Sequence, residues 1–363
     1  MAQYYVELPD GKRKRKTLYG KTRVEVSRKL SEAIARRDRG IVVDDRNLTV
    51  GEYLDSWLSD AVRGTIREST YSRNKYLIES HIKPSLGRRK LKNLNALHIQ
   101  GLYRDRLDSG LSASTVQKIH HVLRKALTQA VRWDLIARNP ADNVKAPTPV
   151  PKEMHPLSAE QARQLLQTAR GDRLEALYVM AVHTGMRRGE LLGLKWEDVD
   201  LDTANPTLRV RRTTTRKGNG YALGEPKTKN SRRTIRLTRG AVEALRSHRV
   251  QQAQEKLQAG SLYEDQGLVF AGEGGSLVNP SNLRNRSFKP LLARAGLAEG
   301  KARITFHDLR HTCASLLFQR NVHPKFVQEL LGHASVAITL DTYSHMLPGM
   351  GGEAADAMGE ALG

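Results

Sequence analysis

Cysteine and long apolar runs are what this sequence most conspicuously lacks. Its single thiol, Cys313, leaves no internal disulfide and no cysteine-ligated zinc cluster. No apolar run approaches the roughly 18 residues that a membrane helix needs, and the N-terminus lacks the apolar core of a signal peptide. These absences predict a soluble protein of a reducing, intracellular compartment.

Acidic residues are also scarce relative to basic ones. The 363 residues include 60 Lys and Arg but only 38 Asp and Glu, which gives a formal net charge of +22. Because Lys and Arg release condensed counterions from nucleic acid, this excess predicts a polyanionic partner. The alternative is a soluble protein that is merely basic. The length allows two or three domains with a buried core.

The opening segment predicts a small basic module. Two short runs rich in Tyr and Val flank Pro9-Asp10-Gly11, a turn signal typical of a β-hairpin. Residues 22–39 then carry apolar side chains at helical spacing. We expect a hairpin and one helix that end near Asp45; the alternative is a charged tail without fixed structure.

The rest of the chain predicts two larger domains and a tail. Thr49 and Glu52 have capping-box spacing, and residues 48–140 read as a compact all-helical domain with basic surfaces. Prolines crowd residues 141–156, which predicts an extended linker. A mainly helical domain is expected from residue 157, with one β interruption around Gly218-Asn219-Gly220. The tail after Pro348 is Gly-rich, and then helix-like over residues 353–362.

The segment ITFHDLRHTCASLL combines polar and apolar side chains in a way that a core helix does not need. Thr305 and Asp308 have capping-box spacing, which puts His307 in the first helical turn, where free N–H groups favour an anion. His307 and Arg310 project on one face. His307 and His311 also have the spacing of a zinc-binding helix, but Asp308 replaces the usual Glu and Arg310 would lie beside the metal. Phosphate binding is favoured; structural histidines are the other alternative.

Two further segments hold isolated candidates. In TGMRRGELLGLKWEDVDL, Arg187 lies at an expected helix start with Glu190 three residues on, and an arginine there calls for an anionic partner. In VHPKFVQELLGHASVAITLDTYSHML, Gly332 is expected to end a helix, so His333 lies at a break and Tyr343 on the next helix. Taken singly, these residues also fit a surface Arg–Glu pair and a half-buried aromatic.

Together, these segments resemble the tyrosine recombinases of the bacteriophage-integrase type. The matching stretches are TGMRRGELLGLKWEDVDL, EPKTKNSRRTIRL, HDLRHTCASLL and LLGHASVAITLDTYSH. The resemblance implies six catalytic residues, which are Arg187, Lys227, His307, Arg310, His333 and the nucleophile Tyr343. For the role of Lys227, the neighbouring Lys229, Arg232 and Arg233 are competitors.

The resemblance also implies a fold class and a domain plan. The fold is expected to be mainly α with small β elements: an N-terminal hairpin-plus-helix module, a helical core-binding domain and a mixed α/β, mostly α, catalytic domain. The implied domains are an arm-type DNA-binding module at 1–45, a core-site-binding domain at 48–140, the linker at 141–156, the catalytic domain at 157–347, and a tail at 348–363 that docks on a neighbouring protomer. The family's arm module has a three-stranded sheet and a helix. Met1 falls almost directly before the second strand, so the first strand is expected to be missing.

The implied activity is site-specific recombination through a 3′-phosphotyrosine intermediate and a Holliday junction. Arg187 and Arg310 would hold the scissile phosphate with a further donor from His333, His307 would take or relay the proton of the nucleophile, and Lys227 would protonate the departing 5′-oxygen. No metal and no ATP are expected. The implied partners are double-stranded DNA attachment sites, a homotetramer, a DNA-bending host factor and an excisionase, in the cytoplasm of a prokaryotic host and associated with its nucleoid.

Two alternatives to recombination share part of this pattern. A type IB topoisomerase or a telomere-resolving enzyme has the same chemistry but does not join two sites, and the opening module and the tail argue against it. The second alternative is a DNA-binding architectural protein without activity, which would share the positive charge but would not need the catalytic residues. The complete set of candidate catalytic residues argues against that interpretation.

Overall fold

The computed structural model describes residues 1–7, 13–38, 47–150, 154–218, 220–226, 231–298, 304–343 and 358–362. The chain divides into two compact units, Met1–Pro151 and Lys152–Gly363. Helices dominate both, and the sheets are small and antiparallel, which confirms the predicted fold class. Within the described ranges, no helix is both long and apolar enough to cross a membrane.

The first unit opens with a hairpin and a helix. Strands β1 (Ala2–Glu7) and β2 (Arg13–Leu18) pair antiparallel. Helix α1 (Arg23–Asp38) follows and packs against the hairpin, and its Val26 is buried. The turn predicted at Pro9-Asp10-Gly11 lies outside the described residues.

The remaining helices of the first unit form one apolar core. In chain order they are α2 (Val50–Ser56), α3 (Glu68–Leu77), α4 (Lys83–Leu86), α5 (Ala96–Asp108) and α6 (Ala113–Arg132). Thr49 caps α2, since its hydroxyl accepts from the Glu52 backbone N–H and the Glu52 carboxylate accepts from the Thr49 backbone N–H. Ala141 and Val144, at the start of the predicted linker, are buried in this core.

The second unit surrounds helix α8 with helices and two small sheets. Its elements in chain order are α7 (Ala159–Thr168), α8 (Glu175–Thr184), α9 (Arg188–Leu192), β3 (Val199–Asp200), β4 (Thr207–Val210), β5 (Thr213–Lys217), β6 (Gly220–Gly224), β7 (Arg233–Arg236), α10 (Arg239–Ala259), α11 (Pro280–Asn282), α12 (Lys289–Arg294), α13 (Asp308–Phe318), α14 (Pro324–Leu331) and α15 (Val336–Tyr343). Strands β3, β4 and β7 form one sheet, and β5 and β6 form a hairpin where the β interruption was predicted. Helix α8 is buried along most of its length and packs against α10 and α13.

Two left-handed glycines place the loops of the second unit that carry the candidate residues. Gly185 ends α8 with φ 59°, and Gly332 ends α14 with φ 67°. A β-carbon on Gly185 would lie 2.5 Å from Leu331 Cδ2, so the two helix ends touch in a way that only glycine permits at this position. His333 follows Gly332 directly, and Arg187 follows Gly185 after one residue.

Candidate active site

Arg187 is held at the N-terminus of α9 by a buried carboxylate. Its Nη1 donates to Glu190 Oε1 at 2.7 Å, and its backbone N–H donates to Glu190 Oε2 at 3.1 Å. Burial acts to raise the pKa of Glu190, but the Arg233 and Arg187 guanidiniums outweigh it and the net pKa lies below its usual range. An ionised Glu190 therefore orients Arg187, whose side chain remains 38% exposed.

Arg233, a competitor of Lys227 for the acid role, is instead a buried structural cation. On β7, its side chain is 7% exposed. Its Nη2 donates to Glu190 Oε2 at 3.0 Å and its Nε to the Leu330 carbonyl at 2.6 Å. A guanidinium does not give up its proton near neutral pH, and this one is buried against protein acceptors, so Arg233 does not suit proton delivery to a leaving group. Arg232 forms an exposed pair with Glu225, and Lys227 and Lys229 lie outside the described residues.

Arg310 is fixed more firmly than Arg187. It is 3% exposed on α13, and its Nη1 and Nη2 donate to the carbonyls of Gly185 at 2.8 Å and Leu331 at 2.7 Å. Burial lowers the pKa of Arg310 to about 9, and the charges of Arg187 and Arg233 act in the same direction. Burial and the neighbouring positive charges disfavour the charged guanidinium, so a nearby anion would stabilise it.

Three arginines converge on the C-terminal end of α14. Arg233 donates to the Leu330 carbonyl, Arg310 to the Leu331 carbonyl, and Arg187 to the Gly332 carbonyl at 3.3 Å. A helix end leaves such carbonyls without intrahelical donors, and its dipole attracts cations there. Within the described part of the chain, Glu190 is the one carboxylate hydrogen-bonded to this cluster, so the cluster keeps an excess of positive charge.

His333 lies immediately after this helix end, in the bend before α15. Its Nδ1 lies 2.8 Å from the Thr339 hydroxyl, which is fully buried. Burial lowers the pKa of His333 to about 4, helped by the charges of Arg310, Arg187 and Arg233. The imidazole is therefore neutral at neutral pH. In the tautomer in which Thr339 donates to Nδ1, Nε2 carries the hydrogen and is a donor.

His307 caps α13 and is exposed to solvent. The helix begins at Asp308, so His307 precedes the first turn and does not lie inside it as predicted. The Asp308 carboxylate accepts from the Thr305 backbone N–H and hydroxyl at 2.6 and 2.7 Å. Desolvation by the surrounding protein lowers the pKa of His307 to about 4, and His311 and Arg310 add to the effect. The ring centroids of His307 and His311 are 4.9 Å apart.

Tyr343 ends α15 and is more deeply buried than the half-buried aromatic considered from sequence. It is 1% exposed, and its ring packs against Phe318 with centroids 5.8 Å apart. Its hydroxyl lies 2.7 Å from His311 Nδ1. Burial raises the pKa of Tyr343 to about 12, although the charge of Arg310 opposes the rise.

His311 is the residue of this site whose role sequence reasoning missed. It was considered as a zinc ligand or as a structural histidine, and its contact with Tyr343 joins residues 32 positions apart. Within the described ranges, no three His, Cys, Asp or Glu side chains group as metal ligands, so the zinc alternative has no third protein ligand there.

Five of the six candidates therefore lie around the end of α14. They are Arg187, His307, Arg310, His333 and Tyr343. Arg187 and Arg310 donate to neighbouring carbonyls at that helix end, and the five side chains affect one another electrostatically. The sixth, Lys227, belongs to the stretch between β6 and β7 that the structure does not describe.

Family models match both units of the chain. The model of the phage integrase family matches residues 156–349, and that of the phage integrase N-terminal SAM-like domain matches residues 49–107. A tyrosine recombinase XerC-like protein of Caldanaerobacter subterraneus subsp. tengcongensis is 35% identical over 358 residues, covering 93% of this chain and 90% of that protein. An integrase of Streptomyces ambofaciens is 31% identical, covering 92% and 86%.

Solved structures share the fold at lower identity. The Tn1549 transposon integrase in complex with transposon right end DNA has a TM-score of 0.69 at 22% identity, covering 86% of this chain and 99% of that one. A lambda integrase tetramer bound to a Holliday junction has a TM-score of 0.60 at 20% identity, covering 96% and 93%. Family models match both units, and two relatives match most of the chain. This chain therefore belongs to the phage integrase family and is a tyrosine recombinase, an enzyme of site-specific DNA recombination.

Proposed function

We propose that Tyr343 of this chain attacks a phosphodiester of an attachment-site duplex and forms a 3′-phosphotyrosine, which a second DNA strand then resolves. The observation that carries the proposal is the convergence of Tyr343, Arg310, Arg187 and His333 around one helix end. A cluster with three guanidiniums and one partner carboxylate suits a phosphate that gathers negative charge as it is attacked.

Arg310 and Arg187 would bind the phosphate in different ways. Arg310 is locked by two carbonyls and presents its fork in a fixed orientation. Arg187 is more exposed and makes a longer contact to Gly332, so it exchanges that carbonyl for a phosphate oxygen at little cost. Both guanidiniums suit bidentate hydrogen bonds to the non-bridging oxygens. His333, neutral and oriented by Thr339, supplies a further donor.

Lys227 is the proposed general acid for the 5′-oxygen. It follows β6 on the stretch that leads to β7, and an ammonium on a long stem suits proton delivery to a leaving group. Because the phosphotyrosine keeps the energy of the phosphodiester, neither ATP nor a metal is needed for rejoining. His307, which is neutral at neutral pH, would lie beside the phosphate.

The assembly we propose is a homotetramer on two DNA duplexes that exchanges strands through a Holliday junction. Support comes from the lambda integrase, which is a tetramer bound to a Holliday junction, and from the net charge of +22. The arm module at 1–45 and the core-site domain at 48–140 would bind DNA, and the tail at 348–363 would dock on a neighbouring protomer. A DNA-bending host factor and an excisionase complete the proposed partners, in the cytoplasm of a prokaryotic host.

A covalent capture experiment tests this proposal. A core-site duplex is first selected from a random-sequence library by binding to the full chain, and its cleaved strand is then nicked so that the short product diffuses away. We expect a protein–DNA adduct that resists denaturation and is digested by protease. Tyr343→Phe should bind the duplex with unchanged affinity and form no adduct. An adduct of undiminished yield from that variant would remove Tyr343 from its role.

A further inference from the structure

The hydroxyl of Tyr343 has a specific partner that the proposed function leaves unused. Tyr343 Oη and His311 Nδ1 are 2.7 Å apart, which is within the range of a strong O–H···N hydrogen bond. Among the described residues, this is the one hydrogen bond of the phenol. A base must lie within this reach of the proton that it removes. His307, the residue expected from sequence to take that proton, makes no such contact with Tyr343 among the described residues.

His311 is held in place by rigid surroundings. It lies one turn into α13, which packs against α8 and α14. The rings of His307 and His311 meet edge to face with centroids 4.9 Å apart. The centroid of the Tyr343 ring, on α15, lies 5.6 Å from that of His311. The imidazole is half-buried. Its position relative to the nucleophile therefore follows from the packing of α13 against α15, not from a flexible loop.

We propose that His311 is the catalytic base of strand cleavage: its Nδ1 accepts the phenolic proton of Tyr343 as Oη attacks phosphorus, and returns it when the strand is rejoined. The O–H electron pair becomes the Oη–P bond. The P–O5′ bond breaks with its electrons on O5′, which takes a proton from a separate acid. The products are a 3′-phosphotyrosine, a 5′-hydroxyl and a His311 imidazolium. The proposal rests on the proposed function of Tyr343.

The charges around His311 favour an acceptor that is neutral before the reaction. Desolvation lowers the pKa of His311, the neighbouring Asp308 opposes this, and Arg310 lowers it further. His307, whose ring meets that of His311, and His333, which interacts with His311 electrostatically, are both neutral at neutral pH. Burial raises the pKa of Tyr343 to about 12, so the phenol does not ionise before attack and a base is needed during it.

His311→Asn is the variant that separates proton transfer from hydrogen bonding. The amide of Asn occupies the place of Nδ1 and can hydrogen-bond to Tyr343, but it does not take up a proton near neutral pH. Adduct formation on the selected nicked duplex is measured in a single turnover with the full chain. We expect unchanged DNA affinity and a rate about 100-fold or more below that of the unsubstituted protein. Added imidazole should restore part of the rate to His311→Ala.

Phe318→Leu is the matched control. It loosens the packing around the Tyr343 ring without removing the hydrogen bond, so a loss of rate much smaller than that of His311→Asn is expected. If Phe318→Leu loses as much as His311→Asn, ring packing explains the defect and the proposal fails. Thermal unfolding of each variant shows whether it is folded, and His311→Gln replaces His311→Asn should the latter unfold.

A duplex with sulfur in place of the bridging 5′-oxygen assigns the proton. Sulfur leaves without protonation, so a defect in the acid is relieved on this substrate and a defect in the base is not. We expect the His311→Asn defect to persist and that of Lys227→Ala to disappear. A His311→Asn rate within threefold of the unsubstituted protein, or above it, overturns the proposal while Tyr343→Phe remains inactive. An adduct from Tyr343→Phe would instead overturn the proposed function itself.

Discussion

At the scale of single residues, the two proposed phosphate-binding arginines differ in how they are held. Arg310 is 3% exposed and donates to two backbone carbonyls from different helix ends, those of Gly185 and Leu331. Arg187 relies on the Glu190 carboxylate and remains open to solvent. Only the planar fork of an arginine reaches both carbonyls of the Arg310 site while keeping further N–H groups for a ligand.

Arg310→Lys keeps the positive charge but loses the fork. An ammonium cannot replace both carbonyl contacts and still offer two parallel donors to phosphate. We expect the rate of adduct formation to fall about 100- to 1,000-fold, as when one oxyanion donor is removed elsewhere. Arg239→Lys, at an exposed arginine on α10, is the control and should be neutral. Equal rates for the two variants would contradict the account.

At the scale of elements, the site depends on how helices end. The carbonyls at the end of α14 collect three arginines, and the left-handed Gly185 and Gly332 let α8 and α14 meet there. The secondary structure thus sets the spacing between Arg310 and His333. A small displacement of one helix end moves several catalytic candidates together.

Gly185→Ala is expected to disturb this junction. Its φ of 59° is unfavourable for alanine, and the new β-carbon would lie 2.5 Å from Leu331 Cδ2. We expect a loss of about 1–3 kcal/mol in the free energy of unfolding, measured by urea denaturation, and slower adduct formation. Gly240→Ala on α10, where the added carbon would be 3.5 Å from His183, should leave both unchanged. A Gly185→Ala protein as stable as Gly240→Ala would contradict the expectation.

Sequence patterns predicted the elements better than the contacts between them. The capping box of Thr49 and Glu52, the end of α14 at Gly332 and the pairing of Arg187 with Glu190 are local, because the partners lie within a few residues. The burial of Arg233 and the contact of His311 with Tyr343 are not, since they join β7 to α14 and α13 to α15. No local pattern encodes such contacts, so they required the fold.

At the scale of the whole molecule, positive charge is the dominant property, and it shapes the site as well as the surface. With a net charge of +22, the chain gathers Arg187, Arg233 and Arg310 in one place. Burial keeps His307 and His333 uncharged, and charges of this cluster add to the effect. Neutral histidines avoid further repulsion in the free protein. They also tie the stability of the fold to pH.

Stability should fall on mild acidification. The pKa values of His307 and His333 are lowered to about 4 in the folded protein, from 6.5 in the unfolded chain. Between these two pKa values the unfolded chain binds more protons than the folded protein. The free energy of unfolding therefore keeps its full value above about pH 6.5 and decreases as the pH falls towards 4. Urea denaturation at pH 7.5 and pH 5 measures the difference. His333→Gln should lessen the dependence; a protein equally stable at both pH values would contradict the pKa shifts.

The most direct measurement is the mapping of the protein–DNA bond by mass spectrometry of the digested adduct. The full chain is incubated without added metal or ATP with the nicked core-site duplex and then treated with protease and nuclease. We expect a single peptide that carries a nucleotide on Tyr343 through a 3′-phosphate. A nucleotide on any other side chain, or linkage through a 5′-phosphate, would contradict the account.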